Sequence, residues 1–246
     1  MARLKPDTPS YNFPMLALAL AALLLATQAP CPLGAAALAG DAAARAAEFD
    51  LAGAAEQLEA ATRLGCASTA VAALYVRGLV DAREAFRQGG APESLTPVRQ
   101  AIEALERLAQ GGPADIARLM LHAAAAAAQS ERDEMRLYLE SAAQMESVQR
   151  AAGQPGAPVV SAAEVAGDLW LQVHRYEEAR QAYLEAAQQA GTTPRVLAGL
   201  ARVAARLNDT ASACAGFQKL VDLWGARPAM PAEIVEARMY RQDACP

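Results

Sequence analysis

The chain has 246 residues, a formal net charge of −5, and 54% hydrophobic but only 5% aromatic residues. The length allows one or two domains or one short helical solenoid, and few aromatic residues predict a core of closely packed, thin helices. The negative charge argues against nucleic-acid binding, because no basic surplus is available to neutralise phosphates.

The N-terminal segment has the pattern of a secretory signal. An apolar stretch over residues 15–29 follows a weakly basic start and is short for a membrane span. Ala37 and Ala39 suit a signal-peptidase site, and a second possible site follows Ala29. We predict a signal peptide over residues 1–39 and hence a secreted or periplasmic protein. The alternatives are an uncleaved signal anchor, which would tether the protein to a membrane, and a buried N-terminal helix.

The four cysteines do not form a CxxC pair, so neither a zinc site nor thioredoxin-type chemistry is predicted. Cys214 lies near the start of one predicted helix and Cys245 at the end of the next. Their sulfurs can meet if the two helices are antiparallel, so we expect either a disulfide or two buried thiols there. Cys66 is unpaired if the chain is cut after Ala39, and it can pair with Cys31 if the cut comes earlier.

Almost everything after residue 40 predicts helix, with Gly- and Pro-rich segments as interruptions. Short loops make consecutive helices antiparallel neighbours. We therefore predict an all-α solenoid of antiparallel helix hairpins, irregular over 40–160 and more regular over 161–246. The predicted hairpins are 41–64, 67–110, 114–150, 161–190 and 194–224, followed by a capping helix at 231–243.

A spacing of 34 residues relates the last two hairpins. The small residues Ala179 and Ala213 and the large residues Tyr183 and Phe217 recur at this interval. This pattern resembles the tetratricopeptide repeat, most clearly over 161–224. The alternative is a coincidence within an ordinary alanine-rich bundle. The resemblance implies two repeats whose packing residues are Gly167, Trp170, Ala179, Tyr183, Ala186, Ala213 and Phe217.

The resemblance also implies that the first helix of each hairpin faces a concave groove. Arg195, Arg202 and Arg206 fall on one stripe of such a helix, and Glu164 and Asp168 lie on the preceding one. Because guanidinium groups bind carboxylates, we expect this groove to receive an acidic segment or a C-terminal carboxylate of a partner protein or peptide. The alternative is a solvated face with an Asp168–Arg202 ion pair between repeats. The lysines and asparagines with which this family clamps peptides are not reproduced.

The sequence contains no recognisable catalytic motif. Only two histidines, His122 and His174, are present, and neither has a second metal ligand at helical spacing. No catalytic residue, metal or cofactor is predicted, and we expect a non-catalytic, exported binding protein. The alternatives are an assembly factor of an envelope complex that binds through its outer faces and, less favoured, an enzyme with a cleft in the 76–160 region.

Overall fold

Helices are the only regular secondary structure in the part of the chain that the computed structural model describes, which is residues 31–108, 112–225, 227 and 230–245. Residues 1–30, which carry most of the predicted signal segment, lie outside the described part. Among the described helices, none combines the length and apolar character that crossing a membrane requires.

Six helices build the first three hairpins, and a short 3-10 turn at Ala67–Thr69 precedes the third helix. Each helix packs on the next one along the chain. Their bounds are α1 Leu33–Ala47, α2 Leu51–Arg63, α3 Ala70–Arg87, α4 Thr96–Leu108, α5 Pro113–Ala128 and α6 Arg132–Ala151.

Five helices follow, in two further hairpins and a single C-terminal helix. Side chains cap three of these helices: Ser161, Thr193 and Asp209 each accept a hydrogen bond from a backbone N–H in the first turn, which satisfies a donor that the helix cannot. The bounds are α7 Ala162–Gln172, α8 Tyr176–Ala190, α9 Pro194–Arg206, α10 Thr210–Trp224 and α11 Ala232–Ala244.

The first helices of successive hairpins also pack on each other, α3 on α5, α5 on α7 and α7 on α9. They form one continuous row, which we call the inner row, and α4, α6, α8 and α10 pair with it as second helices. The predicted all-α fold of antiparallel helix hairpins is therefore confirmed. The last helix, α11, packs on α10 and buries Ile234 and Ala237 completely.

A buried tyrosine fills the space between two helices of the inner row. The ring of Tyr183, on α8, lies against Gly167 of α7 and Gly199 of α9. A Cβ atom on Gly167 would lie 2.6 Å from the ring, and one on Gly199 would lie 2.3 Å from it. Of the packing residues expected from the repeat, one is half-buried, Trp170, and six are buried: Gly167, Ala179, Tyr183, Ala186, Ala213 and Phe217.

No cysteine among the described residues is free. A disulfide joins Cys214, near the start of α10, to Cys245, just after α11, with their Cα atoms 5.7 Å apart. Cys31 and Cys66 are also disulfide-bonded. Disulfides persist in oxidising compartments, so these bonds indicate an oxidising, extracytoplasmic environment.

The first described helix extends further towards the N-terminus than residue 41, where the first hairpin was expected to begin. The Ala39–Gly40 bond, at which a signal peptidase was expected to cut, lies inside α1. Ala35 and Ala42, on either side of it, are fully buried.

The two ends of the hairpin row contact each other. Phe49, in the turn between α1 and α2, has its ring centroid 6.1 Å from that of Trp224 at the end of α10. Beside them, Arg227 pairs with Glu48 at 2.5 Å, and its guanidinium lies 4.9 Å from the centroid of the Trp224 ring. The row is therefore closed by these contacts, which we call the closing contact.

Candidate functional site

Three of the predicted partner-binding residues meet in one ionic cluster between α7 and α9, in which Arg195 and Glu164 are buried and Asp168 is 46% exposed. The Arg195 guanidinium donates from Nη2 to Oδ2 of Asp168 at 2.6 Å and pairs through Nε with Oε1 of Glu164 at 2.9 Å. The hydroxyl of Tyr183 donates to the other oxygen of Asp168 at 2.5 Å. Only 8% of the Arg195 side chain is exposed, so it is not the open groove residue that the sequence predicts.

One donor of this cluster lacks an acceptor. Nη1 of Arg195 is buried and has no hydrogen-bond partner among the described residues. Leaving a buried donor unpaired costs roughly 1–3 kcal/mol, and more for a charged group.

Burial and neighbouring charges together shift the pKa values of the residues in the cluster. Burial alone would lower the pKa of Arg195, but Asp168 and Glu164 outweigh it and raise that pKa. Burial raises the pKa of Glu164, although Arg195 opposes this. Burial and the Asp168 carboxylate also raise the pKa of Tyr183 well above its usual value. The guanidinium therefore stays charged and the tyrosine remains a hydrogen-bond donor at neutral pH.

Arg202 pairs with a residue that comes later in the sequence, Glu236, and not with Asp168 of the preceding hairpin. Its Nε donates to Oε2 of Glu236, 34 residues later on α11, at 2.8 Å. The alternative Asp168–Arg202 ion pair is not formed among the described residues: Asp168 accepts from Tyr183 and Arg195, and Arg202 pairs with Glu236.

Arg206, the third arginine of the predicted stripe, is exposed and forms no ion pair with any described residue. It lies one turn beyond Arg202 on α9. Along the stripe, Arg195 is therefore buried, Arg202 is half-buried and ion-paired, and Arg206 is exposed to solvent.

A cavity of about 350 Å³ lies against the ionic cluster. Its charged lining is Asp168, Arg195 and Arg202 together with Arg83 and Arg87 from α3, so four of its five charged residues are arginines. Its apolar lining includes Leu51, Leu79, Phe86, Val165, Leu169 and Leu171. The chemistry of this lining suits a ligand with a negative charge and an apolar body.

The sequence interpretation missed the contribution of α3 and α11 to this site. Glu233 of α11 lies 4.0 Å from the guanidinium groups of both Arg83 and Arg202, and so connects α3 with α9. Arg83, Phe86 and Arg87 have the i, i+3, i+4 spacing that places them on one helix face, which was the available signal. Their approach to α9 depends on how the row of hairpins curves.

A second cavity, of about 300 Å³, lies within the 76–160 region and is lined by His122, Glu131 and Glu134. The ring of His122 stacks on that of Tyr138 with centroids 4.8 Å apart, and burial lowers the pKa of His122. The described residues include no group of three or more potential ligands arranged to hold a metal ion. The enzyme alternative places its cleft in this region.

The chain matches no protein-family model, and no curated protein is similar enough to it to count as a match. The resemblance to tetratricopeptide repeats therefore rests on residue spacing and packing alone.

Proposed function

We propose that this chain is an exported, non-catalytic binding protein of the tetratricopeptide-like type. Its inner row would receive an acidic segment or a C-terminal carboxylate of a partner protein or peptide. The observation that carries this proposal is the cavity that four arginines of α3 and α9 line, Arg83, Arg87, Arg195 and Arg202. Arg202 and the exposed Arg206 would extend the positive surface along α9.

Two packing features support the tetratricopeptide-like assignment. The contacts of the Tyr183 ring with Gly167 and Gly199 fit a repeat in which an aromatic residue separates neighbouring hairpins. The Arg202–Glu236 ion pair joins residues 34 positions apart, so α11 continues the repeat spacing as a capping helix would.

The proposal is tested with fluorescently labelled acidic peptides that have free C-terminal carboxylates. Replacing both Arg202 and Arg206 by Gln should weaken binding by about tenfold or more, because each charge-assisted hydrogen bond is worth roughly 1.5–3 kcal/mol. The salt dependence of the affinity should also become shallower. The control is Arg180→Gln, since Arg180 is an exposed arginine on the second helix α8. Equal affinities for the double variant and wild type would reject the proposal.

A second candidate is an assembly factor that binds through its outer faces. Exposed apolar side chains on the second helices favour it, notably Leu137 and Val148 on α6, which are 61% and 59% exposed. Such side chains mark interaction surfaces when they lie together. Leu137→Ser with Val148→Ser should abolish partner association in this case, whereas Arg202→Gln with Arg206→Gln should leave it unchanged.

A further inference from the structure

The first three hairpins have two edges that differ in composition. Because each helix runs antiparallel to the next, α1, α3 and α5 begin, and α2, α4 and α6 end, at one edge, which we call the entry edge. The connections that follow α2, α4 and α6 there, residues 64–69, 109–112 and 152–161, contain no charged residue. Each connection at the opposite edge, in contrast, contains an acidic residue: residues 48–50, 88–95 and 129–131 include Glu48, Asp50, Glu93 and Glu131.

Exposed apolar side chains are concentrated at the entry edge. Leu33, the first residue of α1, is 92% exposed. Six large apolar side chains are exposed among the described residues up to residue 160, and five of them lie at helix ends or in connections of this edge: Leu33, Leu64, Leu108, Val148 and Val159. The sixth, Leu137, lies near the start of α6 and so towards the opposite edge. Exposed apolar surface that collects on one side indicates a contact with a protein or a membrane.

The entry edge also has unpaired positive charge. Arg63, in the last turn of α2, and Arg107, in the last turn of α4, are exposed and form no ion pair with any described residue. The acids Glu106 and Asp115 lie near the same edge, and both pair with Arg118. Arginines beside apolar side chains suit a bilayer surface with anionic headgroups, which binds both kinds of group.

The apolar segment over residues 15–29 joins the helices at this same edge. It is followed by residues 30–32 and then by Leu33, where α1 begins. A cut after Ala39 would remove residues 33–39 from α1, together with the disulfide-bonded Cys31. A chain that keeps α1 whole therefore loses the segment before Cys31 or retains it. A retained segment would tether the protein by its entry edge.

We propose that the entry edge lies against a membrane surface with anionic headgroups, to which residues 15–29 tether the chain. Leu64 and Leu108 enter the boundary between headgroups and acyl chains, and Arg63 and Arg107 contact the headgroups. The acidic connections of the opposite edge face away from the lipid. This inference goes beyond the proposed function, because it concerns residues outside the arginine-lined cavity and needs no protein partner.

The experiment compares how close the two edges come to lipid. The full chain is reconstituted into vesicles of phosphatidylcholine, with or without phosphatidylglycerol, that contain a lipid with a nitroxide on its headgroup. A fluorophore is attached to Gln154→Cys or to Gln129→Cys, at exposed positions that flank α6 at the entry edge and at the opposite edge. Since α6 has 20 residues, the two labels are separated by about 30 Å. The nitroxide should quench the label at 154 and not the label at 129, and this quenching should weaken without phosphatidylglycerol.

A pair of leucine variants tests the apolar contact. Leu64→Ser with Leu108→Ser should reduce quenching at residue 154, because two side chains no longer gain free energy by leaving water for lipid. The matched control is Leu137→Ser with Leu184→Ser, which changes two exposed leucines of second helices away from the entry edge. It should leave the quenching unchanged. Thermal unfolding verifies that each variant is folded.

A pair of arginine variants tests the contact with headgroups. In vesicles with phosphatidylglycerol, Arg63→Gln with Arg107→Gln should lower the ratio of docked to undocked chains by about tenfold or more, because each arginine near an anionic surface contributes about fivefold. The control is Arg136→Gln with Arg180→Gln, two exposed arginines on α6 and α8. The control should keep the wild-type ratio and its dependence on phosphatidylglycerol.

Three results would overturn the inference. The first is equal quenching of both labels or stronger quenching at residue 129. The second is quenching at residue 154 that the leucine and arginine variants of the entry edge leave unchanged, because the tether alone would then explain it. The third is no quenching of either label, which would leave a protein as the occupant of this edge. Arg202→Gln with Arg206→Gln should not alter the quenching, so failure of the proposed function and failure of this inference are distinguishable.

Discussion

The Tyr183 ring shows why two positions of the inner row have to be glycine. It is 1% exposed, and it lies between Gly167 and Gly199 on helices that pack directly on each other. Its hydroxyl reaches Asp168, so the same side chain sets the distance between helices and holds part of the ionic cluster. A change in this packing should therefore affect both stability and the cavity.

The first prediction concerns this packing. Gly199→Ala should lower the free energy of unfolding by about 1–3 kcal/mol, because the new Cβ would lie 2.3 Å from the tyrosine ring. The control is Gly40→Ala in α1, where no atom of the described residues lies within 4 Å of the new Cβ. Gly40→Ala should stabilise the helix by about 0.5–1 kcal/mol. Urea unfolding measures both, and a Gly199→Ala variant as stable as wild type would show that the ring does not fix this spacing.

The second prediction concerns the pH dependence that Glu164 introduces. Its pKa in the folded state is raised above its value in the unfolded chain, mainly by burial, so ionising it costs more in the folded protein than in the unfolded one. The stability of wild type relative to Glu164→Gln should therefore be greatest below the unfolded pKa and decrease as the pH rises through the folded pKa. Melting temperatures of both proteins from acidic to neutral pH measure this difference. A difference that grows with pH would mean that Arg195 outweighs burial.

At the scale of elements, the helices of the last two hairpins could be predicted because their signals are local. Thr193 with Pro194 begins α9, and the predicted hairpin 194–224 agrees with the bounds of α9 and α10. The pairing of Asp168 could not be predicted from repeat spacing. Arg195, at the start of α9, pairs with Asp168 instead of Arg202. Which arginine pairs with this carboxylate depends on the separation of the helices and on side-chain rotamers, not on the interval in the sequence.

The third prediction concerns the disulfide that ties the last two helices together. The Cys214–Cys245 bond closes a loop with a sequence separation of 31 residues. Replacing both cysteines by serine should lower the free energy of unfolding by about 2–4 kcal/mol, because the unfolded chain regains entropy. Urea unfolding under non-reducing conditions measures the loss. Unchanged stability would mean that packing of Ile234 and Ala237 alone holds α11.

At the scale of the whole molecule, the closing contact distinguishes this protein from an open solenoid. In an open solenoid each repeat contacts only its neighbours, so the ends are energetically independent. Here Phe49 in the first hairpin packs against the core cluster of the last hairpin, and Glu48 pairs with Arg227. The sequence contains no local signal for this, because closure depends on the sum of small rotations between successive hairpins.

The last prediction follows from this closure. Phe49→Ala should reduce amide hydrogen-exchange protection in α10 and α11, although its own hairpin lies at the opposite end of the row, because the Trp224 ring loses its aromatic neighbour. The control is Leu64→Ala, an exposed residue in the same first hairpin that should leave α10 and α11 unaffected. Hydrogen exchange read by mass spectrometry resolves the helices separately. If protection in α10 and α11 equals that of wild type, the ends do not stabilise each other.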